Sequence, residues 1–200
     1  MLWPTTVLVV PAATGQDFVD HGVGAPAAES RGVVCLQDDR GRSLALCCSL
    51  DQSPRGWLLI LDVGSGAAQQ LYYPEGVPNS PPFASLLSAN DRFYTFAGNV
   101  LLELDPNTRE WLFHGVPSPG EQCYCGSAMC DGPGGLIYAG GYPHCRLVSF
   151  DPQTKAMREV ARLDPTEEYV MSLVADSAGW LYAGIGTARA NLVACDPRTG

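Results

Sequence analysis

The chain has 200 residues, of which 46% are hydrophobic and 16% are charged, and its formal net charge is −9. This composition is typical of a folded globular domain and excludes a disordered chain. The negative charge has the wrong sign for binding a nucleic-acid backbone or an anionic membrane, and no apolar run approaches the length of a membrane span. We therefore expect no nucleic-acid or membrane partner.

Residues 1–29 predict an N-terminal β-strand followed by a connection. The apolar run at residues 5–10 suits a strand, and residues 22–28 are rich in glycine, alanine and proline. The segment lacks the basic start and the full apolar centre of a secretory signal peptide. We therefore expect a strand here rather than a cleaved leader.

A repeat with a period in the forties organises the rest of the chain. Four aspartates are each followed three residues later by a hydroxyl side chain and preceded four residues earlier by a leucine. Their spacings are 43, 46 and 45 residues, and the aspartates are Asp62, Asp105, Asp151 and Asp196. Three tyrosines, Tyr94, Tyr138 and Tyr182, are spaced by 44 residues. A period of this length indicates a repeat architecture.

Each unit has the pattern of a small antiparallel sheet. In Asp-Pro-x-Thr the proline presets the turn, and the side-chain oxygens can cap backbone N–H groups. A residue with a left-handed backbone conformation usually closes such a turn. Gly66 and Gly200 suit that position better than Arg109 and Lys155 do. Four short strands in about 45 residues make a propeller blade. The expected blades lie in a single domain, 1–200, at residues 30–73, 83–115, 124–163 and 169–200.

Two segments carry a family resemblance. DGPGGLIYAGGYPHCRLVSFDPQT at 131–154 and DSAGWLYAGIGTARANLVACDPRT at 176–199 resemble blades of streptogramin-lyase-like, SMP-30-like and YVTN-type propellers. LIYAGG at 136–141 and DPNTREW at 105–111 are more distantly similar to kelch blades. The resemblance implies an all-β propeller with about four four-stranded blades.

The blade count leads to a further expectation. Propellers close with typically 4–8 blades, and the last predicted blade lacks its outer strand. We expect the four blades to be an open arc of a larger ring, for example a seven-bladed one, rather than a closed four-bladed ring. Such an arc would expose an apolar blade face and aggregate or oligomerise.

The predicted ligand site lies on one face of the propeller. Loops between blades and loops between second and third strands share that face, and binding residues concentrate in such loops. We expect His144 and Tyr142 to be catalytic, with substrate bound by Arg31, Tyr124, Tyr169 and Arg189. The alternative is that Tyr124 and Tyr169 only pack between inner strands and that His144 is a solvated loop residue.

Two kinds of function remain open from the sequence. Propeller polysaccharide lyases use tyrosine or histidine for proton transfer and arginine to neutralise a uronate, so the resemblance implies a lyase-like or other carbohydrate-active enzyme. Its ligand would be a carbohydrate or another small molecule. The alternative is a non-catalytic propeller that serves as a binding or protein-interaction scaffold. Neither alternative calls for a cofactor.

The eight cysteines do not predict a metal centre. Cys123, Cys125, Cys130 and Cys145 match the spacing of no common zinc module. Cys35, Cys47, Cys130 and Cys195 fall in predicted strands, where cysteine behaves as a small buried hydrophobe. Unpaired thiols favour a reducing compartment, so a cytoplasmic location is slightly favoured over secretion.

Overall fold

The computed structural model describes residues 21, 29–51, 53–80, 82–117 and 124–199, which form four antiparallel sheets. Blade 1 consists of β1 (Glu29–Gln37), β2 (Ser43–Leu50), β3 (Trp57–Asp62) and β4 (Ala68–Tyr72). Blade 2 consists of β5 (Leu86–Leu87), β6 (Phe93–Ala97), β7 (Val100–Asp105) and β8 (Glu110–Gly115). Blade 3 consists of β9 (Tyr124–Asp131), β10 (Ile137–Tyr142), β11 (Arg146–Phe150) and β12 (Met157–Arg162). Blade 4 consists of β13 (Tyr169–Ala175), β14 (Leu181–Gly186) and β15 (Asn191–Cys195).

In every sheet the strands are hydrogen-bonded in chain order, as in a propeller blade. The prediction of an all-β propeller is therefore confirmed. The predicted inner strand at residues 83–87 is shorter than expected, since only Leu86–Leu87 pairs with its neighbour. The strand expected at residues 5–10 and the turn residue Gly200 lie outside the described residues. No helix in the described part of the chain is long and apolar enough to cross a membrane.

The repeated aspartates cap the turns between third and fourth strands. Asp62 Oδ1 accepts hydrogen bonds from the amides of Gly64 and Ser65, both at 3.0 Å, and Asp105 and Asp151 accept equivalent bonds. The closing residue is left-handed in all three turns, with φ of 73° at Gly66, 63° at Arg109 and 60° at Lys155. The aspartate cap thus tolerates a non-glycine residue at a position that favours glycine.

The core lies between blades. We call the sheet face directed toward the following blade the far face, and the opposite one the near face. Far-face leucines of blade 1, such as Leu46, pack with Phe93 and Leu102 of blade 2. Tyr94 and Phe96 of blade 2 pack with near-face residues of blade 3, and blades 3 and 4 share two further clusters. Each blade is therefore stabilised mainly by its neighbours, because apolar surface is buried between sheets.

Cysteines occupy these faces. Cys48, Cys130, Cys145 and Cys195 are buried free thiols. Cys35 is exposed on the near face of blade 1, so the prediction that it is a buried hydrophobe is wrong: it faces away from blade 2, and the described residues leave it exposed.

Candidate functional site

An open cleft of ≈ 360 Å³ lies beside the inner strands, lined by Phe83, Ser127, Tyr169, Met171 and Thr187. Phe83, Ser127 and Tyr169 stand near the starts of the inner strands of blades 2, 3 and 4, and Thr187 follows β14. The cleft is therefore at the end of the sheets where the loops between blades and those between second and third strands emerge.

Tyr169, which lines the cleft, is stacked on Tyr142. The rings of Tyr142 and Tyr169 have centroids 4.2 Å apart and planes inclined by 19°. Burial, followed by the neighbouring Tyr142, raises the pKa of Tyr169. The Tyr169 hydroxyl therefore stays protonated at neutral pH, and it can donate a hydrogen bond but is a poor base. Stacking also holds the Tyr169 ring in place before any ligand arrives.

The hydroxyl of Ser127 joins blades 3 and 4 beneath the cleft. Its Oγ is 2.6 Å from the carbonyl oxygen of Val170 and 3.2 Å from that of Gly140. The single hydroxyl hydrogen is thus donated to the backbone. Toward a ligand in the cleft, Ser127 can only accept a hydrogen bond.

A buried carboxylate positions the loop that carries Thr187. Glu167 is 1% exposed and accepts hydrogen bonds from the amides of Ala188 at 2.7 Å and Arg189 at 2.5 Å. These bonds lower the pKa of Glu167. Asp164 caps the same connection, and hydrogen bonds from the amides of Thr166 and Glu167 lower its pKa to about 2. The two carboxylates therefore fix both ends of the connection between blades 3 and 4.

His144 pairs with a glutamate beside the tyrosine stack. Its amide donates a 2.8 Å hydrogen bond to Glu168 Oε2, and its Nδ1 lies 3.5 Å from the same oxygen. Both His144 and Cys145 have positive φ, 72° and 46°, so the chain turns sharply after Tyr142. The imidazole is exposed, and His144 is not one of the residues that line the cleft.

The other predicted site residues take separate places. The Arg31 guanidinium lies over the Phe83 ring, 4.3 Å from its centroid. Arg189 contributes its backbone amide to Glu167, and its side chain is exposed. The backbone of Tyr124 pairs with Tyr142, and its side chain lies outside the described residues. The structure thus places Tyr142, Tyr169 and His144 on adjoining segments. Arg31 contacts Phe83, which lines the cleft.

Several lining residues were not predicted from the sequence. Met171 is 61% exposed because the register shifts between Val170 and Ser172, which turns it out of the β13 alternation. Phe83 is 64% exposed because it precedes the short strand β5. The sequence carries no signal for either exposure, because alternation of apolar residues does not reveal such irregularities of the inner strands.

Among the described residues, no group of three or more His, Cys, Asp or Glu side chains could hold a metal ion. Of the four cysteines considered as ligands, the side chains of Cys123 and Cys125 lie outside the described residues. The other two, Cys130 and Cys145, are buried in clusters at the junction of blades 3 and 4.

Comparison with known proteins defines the fold. No protein-family model matches the chain, and no curated protein matches it significantly in sequence. Virginiamycin B lyase from Staphylococcus aureus has a similar structure, with a TM-score of 0.57 and 14% identity over 82% of this chain and 54% of the lyase chain. A catalytically inactive variant of that lyase with quinupristin has a TM-score of 0.57 and 9% identity, over 88% of this chain and 58% of the variant's chain. A Bacteroides caccae protein of unknown function has a TM-score of 0.54 and 15% identity, over 88% of this chain and 66% of its own.

These identities establish the fold alone, and the chain spans about half the length of the lyase. The predicted resemblance to streptogramin-lyase-like propellers is confirmed at that level, while the resemblance to SMP-30-like, YVTN-type and kelch propellers stays a prediction. The described residues form successive blades of a β-propeller like that of virginiamycin B lyase.

Proposed function

We propose that the cleft binds a small, ring-bearing organic molecule. The observation that carries the proposal is the Tyr169 ring, which lines a cleft of ≈ 360 Å³ and is held in place by stacking on Tyr142. Small-molecule sites have volumes of about 300–1,000 Å³ and combine apolar walls with a few polar groups. Here the apolar groups are Phe83 and Met171, and the polar groups are the Ser127 and Thr187 hydroxyls and the Tyr169 O–H.

The arrangement favours a ligand with a flat apolar face and a hydrogen-bond donor. A sugar ring presents C–H groups on one face and hydroxyls at its edge, and a cyclic peptide can present similar groups. The ligand must donate to Ser127, since that hydroxyl can only accept. A carboxylate on the ligand would be favoured near the Arg31 guanidinium, which lies on the Phe83 ring. We therefore propose a carbohydrate, including uronate-containing ones, as the preferred ligand class.

A second candidate is a lyase-type reaction beside the same cleft. The observation that favours it is the His144–Glu168 pair, because a carboxylate near one imidazole nitrogen orients the ring for proton transfer at the other. His144 would abstract the proton and Tyr169 would donate one to the leaving group. The similar staphylococcal protein is a lyase of virginiamycin B, and its inactive variant is described with quinupristin.

Nuclear magnetic resonance titration tests the binding proposal. The probes are neutral oligosaccharides, uronate oligosaccharides and quinupristin, added to the purified chain. Binding in the cleft should shift the amide signals of Ser127, Met171 and Thr187, and Tyr169→Ala should weaken it at least tenfold. Tyr72→Ala is the matched control, because Tyr72 is an exposed tyrosine on the outer strand of blade 1. Binding that Tyr169→Ala leaves unchanged would contradict the proposal.

The lyase candidate has its own test. Any probe that binds is followed for the new double bond that an elimination creates, by ultraviolet absorbance. His144→Ala should abolish turnover and leave binding within about threefold, whereas a scaffold would bind without turnover in either protein.

A further inference from the structure

The inner strands of the described blades share one repeat position at which the alternation of side chains is interrupted. The position lies three residues before a cross-strand pair that recurs in each blade, and the pairs are Leu36–Leu44, Leu86–Tyr94, Cys130–Tyr138 and Val174–Tyr182. In blades 1, 3 and 4 the position falls within a register shift of the inner strand. The residues at this position are Val33, Phe83, Ser127 and Met171.

This position faces the cleft and not the neighbouring blades. Phe83 is 64% exposed and Met171 is 61% exposed, although blade 1 packs against blade 2 and blade 3 packs against blade 4. Phe83, Ser127 and Met171 line the same cleft. Val33 is 57% exposed, and its exposure follows from the same geometry whether or not a further blade adjoins blade 1.

Val33 lies beside Phe83. Two residues before Val33, the Arg31 guanidinium is 4.3 Å from the centroid of the Phe83 ring. Directly before Val33, Gly32 packs so closely on the next blade that an added Cβ would lie 3.2 Å from Pro82 Cγ. The start of β1 therefore contacts the segment that carries Phe83, and Val33 stands at the blade 1 end of the cleft.

The polar and apolar groups around the cleft are separated. The hydroxyls among its described lining residues come from blades 3 and 4, whereas Val33 and Phe83 of blades 1 and 2 offer only hydrocarbon. Phe83 can pack against an aromatic ring, and the Met171 thioether and the Arg31 guanidinium also interact favourably with one. A ligand that uses both parts of the cleft must carry a polar ring and an aromatic group.

We propose that the ligand is an aryl glycoside, and that Val33, Phe83 and Met171 bind its aromatic group. This inference rests on the proposed function, in which the hydroxyls of the cleft hold a carbohydrate. It adds the aromatic group to the ligand class, and it adds Val33 to the binding residues. Exposed apolar side chains clustered in this way are typical of a binding surface.

Titration calorimetry of the purified chain with matched methyl and phenyl glycosides tests the inference. The pairs are glucosides, galactosides and glucuronides, each as both anomers. For a sugar that binds, the phenyl glycoside should bind about tenfold more tightly than the methyl glycoside, because its ring buries additional apolar surface. Val33→Ser should reduce this ratio of affinities to about threefold, and Met171→Ser, at the same repeat position in blade 4, should reduce it likewise.

Val63→Ser is the matched control, because Val63 is a 44% exposed valine that follows β3, and it should keep the full ratio. Equal affinities for methyl and phenyl glycosides, with methyl glycoside binding that Tyr169→Ala weakens, would overturn the aromatic group and leave the carbohydrate site intact. A Val33→Ser protein that keeps the full ratio, or that loses affinity for both glycosides equally, would overturn the assignment of Val33. Absence of binding by every glycoside would contradict the proposed carbohydrate site, and this inference with it.

Discussion

Substitution of one glycine measures how closely blades 3 and 4 pack. Gly140 lies in β10 and Val170 in β13. A Cβ added at Gly140 would lie 2.4 Å from Val170 Cβ and 2.5 Å from its Cγ1. Carbon atoms prefer separations of about 3.5–4.0 Å, so the two strands would have to separate by more than 1 Å. Rotation of Val170 gives no relief, because its Cβ is fixed to the backbone.

The expected destabilisation of Gly140→Ala is about 3 kcal/mol, at the upper end of the usual cost of overpacking a core. Gly186→Ala is the control in β14, since an added Cβ there meets nothing within 4 Å. Alanine at that position should stabilise the protein by about 0.5 kcal/mol through the unfolded chain. The free energies of unfolding of the two variants should thus differ by about 3–4 kcal/mol.

Urea denaturation followed by tryptophan fluorescence gives these free energies, provided that the slope with denaturant is unchanged. Gly140→Ala should also weaken ligand binding, because Ser127 bonds to the carbonyls of both Gly140 and Val170 beneath the cleft. A Gly140→Ala protein within 0.5 kcal/mol of Gly186→Ala would show that this contact is not tight.

Three further predictions concern buried polar groups. Lys155→Met should lower the free energy of unfolding, measured by urea denaturation, by about 2 kcal/mol, because it removes the ammonium 2.5 Å from Oε2 of the buried Glu103. Adding Glu103→Gln should recover most of that loss. Tyr94→Phe should lower the free energy of unfolding by about 1.5–3 kcal/mol, because it removes a hydrogen bond to Glu103. Tyr73→Phe should lower it by less than about 0.5 kcal/mol, because the buried Tyr73 hydroxyl has no hydrogen-bond partner among the described residues. Folding lowers the pKa of Glu167 from its ordinary 4.5. The stability that this carboxylate adds to the folded protein is therefore complete above pH 4.5 and declines as the pH falls through the lowered pKa. Glu167→Gln should remove that decline and speed hydrogen exchange of the loop amides at pH 7.

The regular part of the fold could be predicted from the sequence because it depends on local rules. The aspartates at a period of 43–46 residues marked the turns, since a carboxylate caps the same amides in each unit. The exposure of Met171 could not be predicted, because it follows a register shift at Val170 that alternation does not reveal. Such bulges depend on packing between blades.

The candidate site was predicted less completely for a related reason. Tyr142 and Tyr169 were expected in the site because they stand in loops of one face, and the two rings do stack. The role of Glu167 was not predicted, since a carboxylate in a loop could equally face solvent. Only the approach of the loop after β14 shows that it accepts amides of Ala188 and Arg189.

Ligand affinity and turnover should depend differently on pH, because the groups around the cleft ionise in different pH ranges. Asp164 and Glu167 have lowered pKa values and stay ionised above pH 5, and Tyr169 has a raised pKa and stays protonated. Histidine is the side chain whose charge ordinarily changes between pH 5 and 8. Binding by the Tyr169 ring should therefore vary less than twofold over that range by titration calorimetry. A rate of turnover that rises with pH, and loses that dependence in His144→Gln, would require the imidazole to act as a base. A ligand affinity that changes tenfold between pH 5 and 8 would contradict a site built from stacked tyrosines and hydroxyls.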